Sequence, residues 1–277
     1  MQAIVLALGA SLSWGLADFF GPLQGRVLGA LRALVYVQLG GLLAIAVMVA
    51  IRGEGPKSAV ALLAIPAAIS GTLGLFAYYR GIAVGAISIV APIAGVSAVV
   101  PVVVGIASGE SPSTLQLTGI ACALLGVFFA AREPGSGGES RFAAGVGLAI
   151  LAAIGFGGYF PFMHAAGNAD FWWASLIFRI ASTSVILVAV AIVRPALGVP
   201  LRVLPWLALI GFGDMFGNLL YAAASTSGLV SVTSVLASLY PIVTVVLARI
   251  ILSERVARTQ EAGIGLTLAG VVLISAG

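Results

Sequence analysis

Charged residues are scarce in this sequence of 277 residues: Asp, Glu, Lys and Arg together make up 8%, against 61% hydrophobic residues. A soluble domain of average composition has about 25% charged and about 45–50% apolar residues. The shortage of charge therefore excludes an ordinary soluble domain. A mean hydropathy of +1.19 indicates instead that most of the chain lies in lipid. We predict an all-α polytopic membrane protein.

Cysteine and histidine occur once each, as Cys122 and His164. A single cysteine cannot form an intramolecular disulfide. The sequence has no HExxH, no GxSxG and no cluster of metal-ligating residues, so an intramembrane enzyme is the least favoured alternative. We expect no catalytic residues, no metal and no other cofactor. The 13 basic residues are scattered singly between apolar runs, which gives no basic patch for nucleic acid.

Ten apolar runs, separated by Gly, Pro and charged residues, predict ten transmembrane helices. The runs cover approximately residues 3–20, 33–51, 59–79, 86–107, 114–131, 143–165, 171–193, 204–224, 229–250 and 260–276. The first twenty residues lack a basic n-region and a small-residue cleavage site. We therefore expect a first membrane helix there and not a signal peptide.

The two halves of the sequence resemble each other. The linker-like segment EPGSGGES at 133–140 separates five runs from five. LQLTGI at 115–120 aligns with TQEAGI at 259–264 at an offset of 144, Tyr78 meets Tyr221 at an offset of 143, and Trp14-Gly15 aligns with residues 156–157 at an offset of 142. We predict one structural unit of two repeats, residues 1–132 and 142–277, joined by a linker at 133–141.

Five helices per repeat is an odd number, so the second repeat must cross the membrane in the opposite sense. Inverted repeats place a substrate site near the midplane between the halves, and they favour alternating access. The sequence therefore predicts a secondary active transporter for which a monomer is sufficient. A passive facilitator or channel would use the same helices and stays open as an alternative.

The basic residues are unevenly divided between the two predicted membrane faces. The loops after helices 1, 3, 5, 7 and 9 carry most of the arginines, whereas the opposite face has only Arg52 and Lys57. The positive-inside rule then puts the Arg-rich loops in the cytoplasm and both termini outside.

The segment LYPIVTVVLARIILSERV at 239–256, followed by Gln260, Gly263 and Gly270, resembles the closing helix pair of EamA domains in the drug/metabolite transporter superfamily. Trp14-Gly15 and Arg179 fit the same pattern, and the resemblance covers the whole chain as two halves. In the first repeat Pro101 lies nine residues before Glu110, whereas thirteen separate Pro241 from Glu254. The first copy therefore departs from the pattern at its fourth helix.

The resemblance implies a ten-helix secondary transporter of the cytoplasmic membrane. Similar proteins include exporters of amino acids, other metabolites and toxic compounds, so we expect a small amphipathic metabolite as substrate. The expected partners are that substrate and the lipid bilayer. A coupling proton, for which the acids named below are the candidates, is one alternative, and exchange of one substrate for another is the other. Members of this family are often drawn with cytoplasmic termini, which conflicts with the charge distribution and leaves the orientation open.

Ionisable residues within apolar helices are the first candidates for a substrate site, because burying a charge in lipid costs about 2.5–3.5 kcal/mol on insertion scales. Asp214 lies in the middle of helix 8, and Asn218 follows one turn later on the same face. Arg179 in helix 7 could hold a substrate carboxylate or simply neutralise Asp214. Both interpretations stay open.

Asp18 follows Trp14 by one turn, near the predicted end of helix 1, and either faces the cavity or reaches headgroup water. Asp18 and Asp214 are the candidates for proton coupling. Aromatic residues could line an amphipathic cavity or belong to the interfacial belt; we expect Trp14, Tyr78 and Tyr221 in the cavity wall because they fall in repeat-matched segments.

Four prolines interrupt predicted helices and are candidates for kinks that assist gating: Pro92, Pro101, Pro161 and Pro241. Two acidic residues, Glu110 and Glu254, close the fourth and ninth helices, where we expect a solvated or capping role.

Overall fold

The computed structural model describes residues 1–84, 94–130, 139–251 and 258–276, and these residues form helices joined by short turns, with no strand among them. The α-helices are α1 (Gln2–Leu28), α2 (Ala30–Arg52), α3 (Ala64–Val84), α4 (Val99–Ala107), α5 (Thr114–Ala130), α6 (Glu139–Val193), α7 (Leu204–Ser225), α8 (Val230–Ala237), α9 (Tyr240–Ile251) and α10 (Arg258–Ala276). Short 3₁₀ helices cover Ala59–Leu63, Val96–Ala98 and Leu201–Val203.

Five helical segments of the described chain are long and apolar enough to cross a membrane, and shorter apolar helices accompany them. Helices suit this composition because each backbone N–H and C=O is satisfied within its own segment, as lipid requires. Large apolar side chains such as Leu43 and Val272 are about two-thirds exposed, as expected of a surface in contact with lipid. The all-helical part of the fold prediction is confirmed.

The predicted sixth and seventh runs are two helices that adjoin at a break at Asp170, and we label them together as α6. The backbone of Asp170 leaves helical geometry (φ −168°, ψ 106°), and its Oδ1 accepts hydrogen bonds from the backbone N–H groups of Trp172 (3.0 Å) and Trp173 (3.4 Å). Asp is a preferred N-cap residue because its short side chain reaches those amides. Residues 139–169 are the first arm of α6, and residues 171–193 are the second arm.

The predicted ninth run is not a single helix. It is interrupted after Ala237, and α9 begins at Tyr240 with Pro241 as its second residue. Proline has no N–H to give to the carbonyl four residues earlier, which favours an interruption at this point. Pro101 lies in the first turn of α4, directly after the 3₁₀ helix Val96–Ala98, so the same reasoning applies to the predicted fourth run.

Two helices extend beyond the predicted apolar runs. α1 continues to Leu28, so Asp18 lies within the helix and not near its end. α6 begins at Glu139, four residues before the predicted start of the sixth run; the division of the chain into repeats at 1–132 and 142–277 with a linker at 133–141 stays a prediction. In both places local composition identified the apolar core of the helix but not the polar turns that extend it.

Glu110 joins the end of α4 to the start of α8. Its carboxylate accepts hydrogen bonds from the backbone N–H groups of Val230 and of Ser231, the latter at 3.0 Å. These amides belong to the first turn of a helix, which has no intrahelical acceptors for them. The capping role expected for Glu110 is present; Glu254 lies outside the described residues.

Candidate functional site

A small cavity of about 90 Å³ lies between the helices, and both halves of the chain line it. Its lining residues are Trp14, Asp18, Gln38, Gly71, Thr72, Leu75, Ser97, Phe156, Tyr159, Phe160, Phe178, Arg179, Ser182, Asp214, Asn218 and Tyr240. Half of these positions are apolar or aromatic, the other half are polar, and three of the polar residues carry charge.

The centre of the cavity wall is an ion pair between the second arm of α6 and α7. Nη2 of Arg179 donates to Oδ2 of Asp214 at 2.6 Å, and Nη1 donates to Oε1 of Gln38 on α2. The Arg179 side chain is 1% exposed and that of Asp214 is 31% exposed. Arg179 therefore neutralises Asp214 in this state, which is one of the two roles left open by the sequence.

Gly41 makes room for the guanidinium. A Cβ atom at Gly41 would lie 3.1 Å from Cζ and 3.2 Å from Nε of Arg179, and 2.7 Å from the carbonyl oxygen of Gly211. α2 therefore runs directly against both the arginine and α7. Nε of Arg179 is buried in this contact and has no hydrogen-bond partner among the described residues.

Asn218 lies one turn after Asp214 on α7, as predicted, and lines the cavity. Its Nδ2 donates to the backbone carbonyl of Asp214 at 2.8 Å. The same stretch of α7 is fixed to α1, because Oγ of Ser13 donates to the carbonyl of Gly213 at 2.6 Å. Asp214 and Asn218 thus project from a helix that is anchored on both sides.

Asp18 lies in the cavity wall together with Asp214, and the two carboxylates interact electrostatically. The Asp18 side chain is half-buried. Within the described ranges it forms no salt bridge and accepts no hydrogen bond, whereas Asp214 has Arg179. The structure therefore distinguishes two acids that the sequence could not rank: one paired and one unpaired.

Six aromatic residues line the cavity, and five of their rings pack together mostly edge to face. The ring centroid of Trp14 is 5.8 Å from that of Tyr159 and 6.4 Å from that of Tyr240, with interplanar angles of 75° and 87°. Phe160 and Phe178 complete the group at 5.3 Å and 5.2 Å from Tyr159. This edge-to-face arrangement is the one that aromatic quadrupoles favour.

The cavity lining described above does not include Tyr78 or Tyr221, which we expected in its wall. The Tyr78 ring packs against Phe156 with a centroid distance of 5.9 Å. Tyr221 is fully buried behind Phe160; its hydroxyl donates to the Phe160 carbonyl (3.2 Å) and is hydrogen-bonded to the Ser234 hydroxyl (2.9 Å). Both support the wall from the second layer, because repeat-matched positions identify buried residues without saying which layer they occupy.

Three of the four candidate prolines lie next to cavity residues. Pro241 follows Tyr240, Pro161 follows Phe160, and Pro101 lies one turn after Ser97. Pro161 lies within α6, but the break in α6 is at Asp170 and not at this proline. Pro92 is outside the described residues.

Sequence reasoning did not single out several lining residues, of which Gln38, Ser97 and Tyr240 are the most polar. Gln38 carries the one amide side chain of α2, an isolated polar group in a run that is otherwise apolar. That isolation is a signal comparable to the one used for Asp214. Ser97 and Tyr240 had no such signal, since serines are frequent in these helices and Tyr240 was considered only as part of a family motif.

A second polar cluster connects α2 to the break in α6, away from the cavity. Arg52 Nη1 donates to both carboxylate oxygens of Asp170 (2.8 and 3.1 Å), and its Nη2 donates to Glu54 at 2.5 Å. The hydrogen bond from Arg52 lowers the pKa of the Glu54 carboxyl. The small contribution of the pair of Arg52 and Glu54 to stability is therefore present above the ordinary Glu pKa, and it is lost as the pH falls through the lowered pKa of Glu54.

Comparisons with known proteins give a fold and a family. No curated protein sequence matches the chain significantly. A crystal structure of a protein aligns with a TM-score of 0.77 over 98% of this chain and 95% of that chain, at 16% sequence identity. At such low identity the likeness shows a shared fold alone.

The family comparison is more specific, because one family description, the EamA-like transporter family, matches the chain twice, over residues 1–132 and 143–276. The apolar helices and the resemblance noted in segment 239–256 agree with this match. The chain is therefore an integral membrane protein of the drug/metabolite transporter superfamily and belongs to the EamA-like transporter family.

Proposed function

We propose that this protein is a secondary active transporter that exports small amphipathic metabolites, such as amino acids or related compounds, across the cytoplasmic membrane by alternating access. The observation that carries the proposal is the cavity between the two halves, in which a buried ion pair and an unpaired carboxylate face aromatic walls. Ionisable groups inside apolar helices are expensive and are usually kept for substrate or ion pathways.

The proposal includes ten helices arranged as two inverted repeats, and close helix contacts support it. α5 and α10 touch at Gly119 and Gly270, and again at Gly126 and Gly263; in each pair a Cβ on the first glycine would lie 2.7 Å from the carbonyl oxygen of the second. At the repeat offset of 144, Gly119 corresponds to Gly263 and Gly126 to Gly270. A rotation that exchanges the two halves therefore turns each of these contacts into the other.

These two contacts also indicate the direction of the symmetry axis. Residue numbers rise along α5 while they fall along α10, so the helices are antiparallel. A two-fold axis that exchanges antiparallel helices is perpendicular to them. For helices that cross a bilayer, such an axis lies in the membrane plane, as in inverted-repeat transporters.

A second pair of contacts follows the same exchange. Gly15 packs against α9, with a Cβ position 2.9 Å from the carbonyl oxygen of Tyr240; Gly157 packs against the 3₁₀ helix, with a Cβ position 2.7 Å from that of Ser97. Gly157 corresponds to Gly15 at an offset of 142, and Tyr240 to Ser97 at an offset of 143. Ser97 and Tyr240 both line the cavity. If the two halves exchanged these packing arrangements, the cavity wall would therefore change at both residues.

Proton coupling through Asp18 and Asp214 is the further part of the proposal. Asp214 is held by Arg179, so its protonation would require that ion pair to open. Asp18 lacks such a partner among the described side chains and could exchange a proton or a cation without breaking a salt bridge. We therefore place the coupling step at Asp18 first and at Asp214 second.

The test is counterflow in proteoliposomes with a labelled panel of amino acids and small organic cations, with and without a pH gradient. We expect at least one compound to accumulate in liposomes preloaded with the same unlabelled compound, and the accumulation to be lost in Asp214→Ala. The matched control is Glu261→Gln, which alters an exposed acid on α10 and should leave counterflow intact.

Several results would contradict parts of the proposal. Equilibration without accumulation would indicate a channel, and counterflow that the pH gradient does not change would indicate a passive facilitator or an exchanger. A pH dependence unchanged in both Asp18→Asn and Asp214→Asn would remove proton coupling through these acids. No transport of any compound by protein with an intact cooperative unfolding transition would contradict the proposed substrate class.

A further inference from the structure

When both of its acids are ionised, the charges of the cavity do not balance. Its lining includes two carboxylates, on Asp18 and Asp214, and one guanidinium, on Arg179. The salt bridge between Arg179 and Asp214 accounts for one charge of each sign. With both acids ionised, one negative charge remains, and it belongs to Asp18.

Arg179 is largely withdrawn from a ligand anion in this arrangement, because its side chain is only 1% exposed. Each of its two terminal nitrogens already uses one of its two N–H groups, donating to Gln38 and to Asp214. Its third nitrogen, Nε, is buried where α2 passes over it at Gly41. A carboxylate or phosphate entering the cavity would therefore meet the more exposed carboxylate of Asp214, a like charge, at the same place as this buried cation.

The groups that face Asp18 come from several elements, and none that the structure describes is an available cation. Asp214 on α7 interacts with it as a like charge. Tyr78 on α3 and Tyr240 on α9 lie near enough to Asp18 for their hydroxyl groups to sense its charge. Trp14 lies one turn earlier on the same helix and lines the same cavity.

A carboxylate in such a place needs a cation. Removing an ion from water is costly unless an opposite charge or hydrogen bonds accompany it. The faces of Trp and Tyr rings attract cations as well, and most strongly where water is excluded. Asp18 and the rings of Trp14, Tyr159 and Tyr240 therefore form complementary parts of one binding surface. The carboxylate can pair with a ligand's charge, and the rings can pack against a flat apolar body.

We infer that the transported substrate is an organic monocation, an amine with an aromatic or similarly flat apolar body, whose ammonium pairs with Asp18 while its body lies against the aromatic wall. The inference rests on the proposed function, since it names the substrate class of the same cavity. It is narrower than that proposal, because it excludes acids and gives zwitterions no available partner for their carboxylate.

The experiment is a binding measurement with four compounds that share one phenyl ring and a short chain: 2-phenylethylamine, phenylalanine, 3-phenylpropionate and 2-phenylethanol. At pH 7 they are a cation, a zwitterion, an anion and a neutral molecule. Titration calorimetry on the full-length protein in nanodiscs gives each Kd. A variant that keeps Trp14 as its one tryptophan, with Trp172, Trp173 and Trp206 changed to Phe, reports by fluorescence whether binding occurs at the cavity.

We expect 2-phenylethylamine to bind at least about tenfold more tightly than the other three, since it alone pairs an ammonium with Asp18 without bringing a carboxylate that lacks a partner. Asp18→Asn should remove that advantage and leave the weak binding of 2-phenylethanol unchanged, which also shows that the variant is folded. Asp18→Glu should recover part of the advantage. Glu261→Gln is the matched control and should bind all four compounds like the unmodified protein.

The inference would be overturned if 3-phenylpropionate or phenylalanine bound as tightly as the amine, or if Asp18→Asn kept the full preference. The binding and counterflow measurements together distinguish failure of this inference from failure of the proposed function. Accumulation of an acid or zwitterion in counterflow, with no amine binding, would retain the transporter and overturn the inference. Tight Asp18-dependent amine binding without any counterflow would do the reverse.

Discussion

Arg179 is the largest fully buried side chain among the described residues, and its charge is compensated by one carboxylate and one amide from two other helices. A buried pair of this kind is weak evidence for stability by itself, because the cost of desolvation offsets the attraction between the charges. Removing one partner, however, leaves a buried charge uncompensated. The pair is thus informative about function when its two members are changed separately and then together.

Asp214→Ala is expected to destabilise the protein by about 2–3 kcal/mol, at or below the lower end of the range for fully buried pairs, because Asp214 is 31% exposed. The double variant Arg179→Met/Asp214→Leu should recover most of that loss and still fail in counterflow. Thermal unfolding in one detergent measures the first effect, and proteoliposomes measure the second. Transport by the double variant would show that the pair is structural.

Gly217 and Gly213 on α7 give a matched pair of substitutions. A Cβ at Gly217 would lie 2.6 Å from Nε1 of Trp14, whereas a Cβ at Gly213 would come no closer than 3.8 Å to an atom of α1, the carbonyl oxygen of Ser13. Gly217→Ala should displace the indole and cost about 1–3 kcal/mol. Gly213→Ala should be neutral or stabilise the helix by about 0.5–1 kcal/mol.

The measurements are unfolding midpoints, together with the fluorescence of a variant whose one tryptophan is Trp14. We expect the Trp14 emission to shift in Gly217→Ala and to stay unchanged in Gly213→Ala. Equal behaviour of the two variants would mean that Trp14 does not pack on α7 as described.

At the scale of elements, the break in α6 is maintained by one side chain with two functions. Asp170 caps the second arm through Oδ1 and pairs with Arg52 through both oxygens. Because α6 carries Tyr159 and Phe160 in its first arm and Arg179 in its second, the angle at Asp170 determines how these cavity residues face one another.

The two functions of Asp170 can be separated by substitution. Asp170→Ala loses both and should cost about 1–2 kcal/mol from the cap alone, with a further loss from the unpaired Arg52. Asp170→Asn keeps an acceptor for the cap and loses the ion pair, so its cost should be smaller and should depend less on salt. Unfolding at low and high ionic strength measures both contributions. Identical losses in the two variants would show that the cap contributes nothing.

At the scale of the whole molecule, the orientation in the membrane is open to a direct test. Cys122 is the one native cysteine, so Cys122→Ser provides a background for single introduced cysteines. Lys57 and Arg202 are exposed and lie on opposite predicted faces. The arginine distribution predicts that Lys57→Cys reacts with a membrane-impermeant thiol reagent in intact cells, and that Arg202→Cys reacts only after permeabilisation. The reverse pattern would put both termini in the cytoplasm.

The family and the helical class could be predicted from the sequence because both depend on local properties. The length of an apolar run and the lack of charge determine whether a segment is stable in lipid. Asp214, Arg179, Asn218 and Trp14 could be singled out for a related reason: a polar or amphipathic group within such a run is conspicuous without knowledge of its neighbours. All four line one cavity.

The rest was decided by contacts between residues far apart in the chain. Gln38 meets Arg179 across 141 positions, and the packing of α2 against the second arm of α6 brings them together. Tyr78 and Tyr221 are as aromatic and as repeat-matched as Trp14, yet they lie one layer behind the cavity wall. Sequence by itself determined which residues are costly to bury in a membrane; only the tertiary structure decided which were paired, because pairing depends on the angles and distances at which the helices cross.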